Sequence, residues 1–136
     1  MKFLAIPTLL AATAQAASLA FTTDIPVDGF WTIGTDFVLE WKAYDATATD
    51  TFKLTISAWN RTISGYSPGP FGIQIPTYDT KEIVLGADVK FLDESYAWTV
   101  EPLDDAGAWK GLGFNYFFAA EWGLTVDSPR VFHIED

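Results

Sequence analysis

Thr51-Phe52-Lys53-Leu54-Thr55-Ile56-Ser57-Ala58 decides the fold class. Phe52, Leu54, Ile56 and Ala58 alternate with Lys53, Thr55 and Ser57. Successive side chains of a strand point to opposite faces, so this period of two marks a sheet with one buried face. Residues 36–42 repeat it: Phe37, Leu39 and Trp41 oppose Val38, Glu40 and Lys42. Tyr96, Trp98 and Val100 alternate with Ala97, Thr99 and Glu101, and Phe114, Tyr116 and Phe118 with Asn115, Phe117 and Ala119. Weaker strands are predicted at residues 20–25, 81–85 and 130–134. No stretch shows a convincing helical period.

Asp28-Gly29, Ile33-Gly34, Gly65, Ser67-Pro68-Gly69-Pro70 and Asp104-Asp105-Ala106-Gly107 punctuate these runs as turns. About seven short strands with regular turns predict an all-β fold, a seven-stranded antiparallel sandwich of immunoglobulin or fibronectin-III type. The chain has no cysteine, which favours the fibronectin-like variant. Trp41 and Trp98 lie on inward registers and are predicted core; Trp31 is predicted to plug a sandwich end.

Acids number 18 and bases 8, a formal charge of −10; 49% of residues are apolar and 16% aromatic. That balance fits one globular domain. It excludes a disordered linker, a transmembrane bundle and a nucleic-acid binder that works by charge. Met1-Lys2, the apolar run from Phe3 and the small-x-small Ala14-Gln15-Ala16 form the pattern of a secretory signal peptide over residues 1–16, with cleavage as late as 20 as a second candidate. Residues 17–136 are then a single domain, large enough to bury roughly two thirds of its unfolded surface without disulfides. Asn60-Arg61-Thr62 is an N-glycosylation sequon, which suits secretion. The leader is too short to span a membrane, and no hydrophobic tail of the glycolipid-anchor kind follows the domain. An extracellular or cell-wall location is expected.

Residues 60–80 are predicted to form a long loop, with Gly65, Gly69, Gly72, Pro68, Pro70 and Pro76 as breakers. Ile73-Gln74-Ile75 reads as a short edge strand ended by Pro76. Tyr66, Phe71 and Tyr78 argue for a lid packed over one sheet end, with contact to a ligand as the alternative.

No motif dictates a reaction. Thiol chemistry is absent, and His133, the only histidine, is expected to alternate outward into solvent from Phe132 and Ile134. A copper mono-oxygenase of the secreted polysaccharide type needs histidine at its mature N-terminus, where this chain has Ala17 or Phe21. No Gly-x-Ser-x-Gly elbow, phosphate loop, dinucleotide fingerprint or calcium loop occurs. Neither a metal nor a cofactor is expected. Asp93-Glu94 and Asp104-Asp105 are the closest acid pairs. Glycoside hydrolysis needs two carboxyls facing across a cleft, and adjacent turn residues do not build that by themselves.

Pro26, Gly29, Trp31, Gly34 and Trp41 form Pro-x-x-Gly-x-Trp-x-x-Gly-x(6)-Trp. This resembles the opening of the N-terminal domain of the yeast cell-wall synthesis Kre/Knh-like family. Residues 95–102, Ser-Tyr-Ala-Trp-Thr-Val-Glu-Pro, are similar to the family's Tyr-x-Trp-x-Val-Pro strand, with Glu101 as an extra residue. Tyr116 falls in its Tyr-rich strand, and residues 128–134 resemble its closing Ser-x-x-Phe-x-Ile strand. The resemblance spans residues 21–134. It implies a secreted fungal sandwich associated with wall β-1,6-glucan assembly, and it carries over no catalytic residue. Relatives often continue into a Ser/Thr-rich stalk with an anchor, and the 60–80 segment is longer than the family's usual connection.

Trp59, Tyr66, Tyr78 and Trp109 are the candidate ligand platform, because sugar rings pack their C–H faces on aromatic planes. The expected function is a non-catalytic, wall-associated domain that binds β-glucan. The alternatives are a secreted module that meets a wall or host protein through residues 60–80, and a small glycan-active enzyme.

Overall fold

The computed structural model describes residues 16–136. The leader expected at the N-terminus, Ala16 apart, lies outside the described residues. Nine strands follow in chain order: β1 (Ser18–Phe21), β2 (Phe30–Thr32), β3 (Asp36–Tyr44), β4 (Thr51–Pro68), β5 (Gln74–Lys90), β6 (Ser95–Thr99), β7 (Phe114–Trp122), β8 (Thr125–Asp127) and β9 (His133–Glu135). Short 3-10 turns occupy Pro70–Gly72 and Phe91–Asp93. The fold is an all-β sandwich. Nine strands replace the seven expected because β2 and β8 have three residues each, too few to show a period.

One sheet has the order β1-β3-β6 and the other β5-β4-β7-β8. Their pairings are antiparallel. The small third sheet, β2-β9, is parallel. The inward residues of β3 meet those of β4 and β7, as the alternation requires. Phe37 lies 5.0 Å from Phe118, and Trp41 stands edge-on to Phe52 at 5.3 Å. Phe132 is the hub, with the rings of Trp31, Phe37, Trp98, Tyr116 and Phe118 centred 4.9–6.3 Å away. Trp41 and Trp98 are buried, and Trp31 is half-buried against the same core.

Residues 60–80 are not a loop folded back as a lid. β4 stops pairing with β7 at Asn60↔Phe114, yet it continues to pair with β5 up to Pro68↔Gln74. The two strands therefore leave the sandwich as a two-stranded arm. Eight residues of β4 beyond Asn60 give it a length of roughly 25 Å at the usual strand rise. Extra β4 residues between Trp59 and Ile63, and again between Ile63 and Gly65, break the alternation there. Pro76 does not end a strand but sits inside β5 opposite Tyr66, which an edge strand tolerates.

The arm's tip is tightly tied. The Gly69 N–H donates to the Ile73 carbonyl at 2.7 Å, and the Ile73 N–H to the Pro70 carbonyl at 3.1 Å. A Cβ on Gly69 would lie 2.8 Å from that Ile73 oxygen. Phe71 takes a left-handed conformation, φ 57 and ψ 30, with its side chain fully exposed.

Candidate functional site

Ala58 is fully buried and faces the core. Its neighbour Trp59 therefore lies on the outer face, beside its register partners Thr80 and Asn115. β5 is regular from Gln74 to Thr80, so Gln74, Pro76, Tyr78 and Thr80 share that face. Ile63 pairs with Tyr78, and Tyr66 with Pro76. One side of the arm thus carries Trp59, Ile63, Tyr66, Pro76 and Tyr78. The Trp59 and Tyr78 rings meet edge-on at 5.6 Å. Tyr78 is 41% exposed and Tyr66 62%.

Charge is absent from this arm. Residues 62–78, between Arg61 and Asp79, contain no Asp, Glu, Lys or Arg, in a chain where 19% of residues are charged. Arg61 is used structurally: its guanidinium donates to the Leu112 carbonyl at 3.0 Å and its backbone N–H to that of Gly113 at 2.8 Å. The base of the arm is thereby fastened to the turn before β7.

Trp109 does not join the platform. Its ring stacks on Phe114 at 5.2 Å and packs against the core. Lys81, the partner of Ala58 and hence on the core side of the sheet, lies over the Trp109 ring at 5.3 Å. Trp59 and Trp109 stand on opposite faces, so one ligand surface cannot use both. Trp109 is instead part of a polar lock. Its N–H and that of Ala108 donate to Asp104 at 2.8 Å each, and its carbonyl accepts from the Tyr116 hydroxyl at 2.6 Å. Burial alone would raise the Asp104 carboxyl. The N–H groups of Ala108 and Trp109, aided by the charge on Lys81, outweigh it and hold Asp104 below the usual carboxylate range. Burial pushes the Tyr116 hydroxyl up to about 12, against the opposing Leu103 N–H and with help from the Asp104 charge.

Asn60 sits at the base of the arm, opposite Phe114, and its side-chain oxygen accepts from the Thr62 N–H at 2.9 Å. By register it lies on the face opposite Trp59, so a glycan there would leave the aromatic face clear.

His133 is buried, 1% exposed, not solvated. The outward alternation of β9 meets β2 and the turn before it rather than water. Nδ1 donates to the Phe114 carbonyl at 2.8 Å, Nε2 lies 3.2 Å from the Asp28 carboxylate, and the Phe30 ring is 5.3 Å away. The ring ties β9 to β7 through the Phe114 carbonyl and faces the 26–29 turn. Among the acids considered for glycan cleavage, Glu94 accepts from the Ala43 N–H at 2.8 Å and Asp104 serves the Trp109 loop. Among the described residues, no group of three His, Asp or Glu side chains could hold a metal ion.

A polar groove of about 400 Å³ runs between the segment after β1 and the β8–β9 connection, lined by Asp24, Ile25, Ser128 and Arg130 among others. The Arg130 guanidinium donates to the Ile25 carbonyl at 3.0 Å, closing part of it. It borders β8, the edge strand opposite β5. The arm, not this groove, is the candidate site. Ile63 adds an apolar side chain to this face beyond the residues predicted, and the charge-free run was the signal in the sequence that could have found it; Phe71 lies in the turn at the tip, fully exposed. Comparison with protein-family models, with curated proteins and with solved structures finds no match to this chain.

Proposed function

We propose that this chain is a secreted, non-catalytic module that binds a neutral wall polysaccharide, β-glucan foremost, on the aromatic face of its arm. The single observation that carries this is the Trp59–Tyr78 pair, a half-buried tryptophan edge-on to an exposed tyrosine, on one face with the exposed Tyr66. Flat apolar rings beside a few polar groups are the general form of a sugar site. Gln74 and Thr80 lie exposed on the same face and offer an amide and a hydroxyl partner. A neutral polymer needs no countercharge, and the arm has none to give. The leader pattern, the sequon and the resemblance to the Kre/Knh-like family supply the extracellular wall setting. The residues that carry the resemblance are largely structural here, so they support the setting and not the site.

The test is retention. The full chain, expressed in a secreting host, is incubated with insoluble β-1,3-glucan, β-1,6-glucan, chitin and mannan. Retention on a glucan with no sugar released is expected, and Trp59→Ala or Tyr78→Ala should abolish it. Release of sugar would instead revive the glycan-active reading. Absence of retention on every polymer would favour a protein partner for the arm, a reading supported by the fully exposed Phe71 at the tip.

A further inference from the structure

Among the described residues, β5 is the outermost strand of its sheet, paired with β4 on one side only. Over residues 74–84 it is exposed apart from the half-buried Thr77, and its exposed side chains include Ile75, Ile83 and Val84. A long open edge of this kind is a template for another strand. We infer that it pairs with the same edge of a second copy, antiparallel and centred on Thr80, joining two chains in a two-fold dimer.

The centre follows from backbone and charge. A proline within a sheet sits with its nitrogen toward the free edge, since it has no N–H to donate. Pro76 is therefore an edge-facing residue, and by alternation Tyr78, Thr80 and Glu82 turn their N–H and C=O groups the same way. In a two-fold antiparallel pair each residue meets its mirror position about the centre. Centring on Thr80 bonds Thr80 to itself and Tyr78 to Glu82. It also sets Asp79 against Lys81 twice, Thr77 against Ile83, and Pro76 against Val84. Centring on Asp79, Lys81 or Glu82 would set like charges directly opposite each other, which is destabilising. Centring on Tyr78 would leave Asp79 and Lys81 without opposite charges. The pairing ends at Leu85, the extra residue of an irregularity in β5, whose carbonyl already accepts from the Tyr96 hydroxyl at 3.2 Å.

Such a dimer has one eight-stranded sheet. Its axis is perpendicular to that sheet, so both Trp59–Tyr78 pairs face the same way. Its formation does not depend on whether that face takes a glycan.

The full chain is tested by size-exclusion chromatography with light scattering at tens of micromolar. A mass twice that of one chain is expected. Asp79→Lys sets lysines against Lys81 and should give monomer; Asp79→Lys combined with Lys81→Asp should restore the dimer. The chain has no cysteine of its own, so Thr80→Cys should form a disulfide-linked dimer on mild oxidation. A wild-type monomer would overturn the inference, with Pro76 and Lys81 then acting as guards of the edge. A dimer would overturn it too if both charge variants leave it unchanged, or if Thr80→Cys fails to cross-link it. Glucan retention by a monomeric Asp79→Lys variant would separate this result from the site on the arm.

Discussion

The two halves of the β4–β5 hairpin share a backbone and little else. In the lower half β4 lies between β5 and β7, and Phe52, Leu54, Ile56 and Ala58 are buried. In the upper half β4 has lost β7, both faces meet water, and none of residues 61–68 is buried. The lower half is fixed by the core. The upper half buries too little to be held by hydrophobic packing, and an isolated two-stranded hairpin is marginal in water. It is held by its cross-strand bonds, its tied tip and the Arg61 clasp. Substitutions below should therefore cost stability, and substitutions above should cost binding.

The largest expected effect is at the core hub. Phe132→Ala removes the ring that touches five others and should cost about 3–5 kcal/mol, read as a fall in the denaturation midpoint. A loss below about 1 kcal/mol would mean that the site collapses around the gap.

Tyr116→Phe comes next. It strips the Leu103 N–H and the Trp109 carbonyl of their partner and should cost about 1–3 kcal/mol. The hydroxyl is raised in the folded chain, from 10.0 to about 12. Its stabilisation is therefore complete below pH 10 and lost as pH climbs toward 12. The wild type should weaken across that window in denaturant titrations, and Tyr116→Phe should weaken less.

Asp104 acts in the opposite direction. Its carboxyl is held below its ordinary 3.8, so its contribution is present above that value and is lost as pH falls through the lower, folded one. Tryptophan emission should shift on acidification as the Trp109 loop loosens, and Asp104→Asn should show the shifted emission already at neutral pH.

The smallest effects belong to the arm. Tyr66→Ser should change stability by no more than about 0.5 kcal/mol. Phe71→Asn should be neutral or slightly stabilising, because asparagine accepts the left-handed backbone more readily. A drop of about 2 kcal/mol in either would show that the arm is packed against something and is not free.

The same contrast explains what the sequence disclosed. Phe52, Leu54, Ile56 and Ala58 alternate because one face is buried, and burial is what writes a period of two into residue types. The all-β sandwich and its core tryptophans were legible for that reason. In the arm nothing selects alternation, and the extra residues around Ile63 shift the count, so Gly and Pro read as a loop. His133 was misplaced because alternation gives a direction, not what fills it; outward from β9 lie Phe30 and Asp28. Tyr66 and Tyr78 are exposed and Trp59 is half-buried, and only the register shows that the three share a face. Trp109 looked identical in sequence, and its place on the other side depends on Lys81, Asp104 and Tyr116, distant in the chain or set by the fold.

The most direct test of the arm as a binding face sets retention against stability in one variant. Trp59→Ala, compared with wild type on insoluble β-glucan, should lose retention while its denaturation midpoint falls by less than that of Tyr116→Phe. Retention equal to wild type in a folded Trp59→Ala variant would contradict the account.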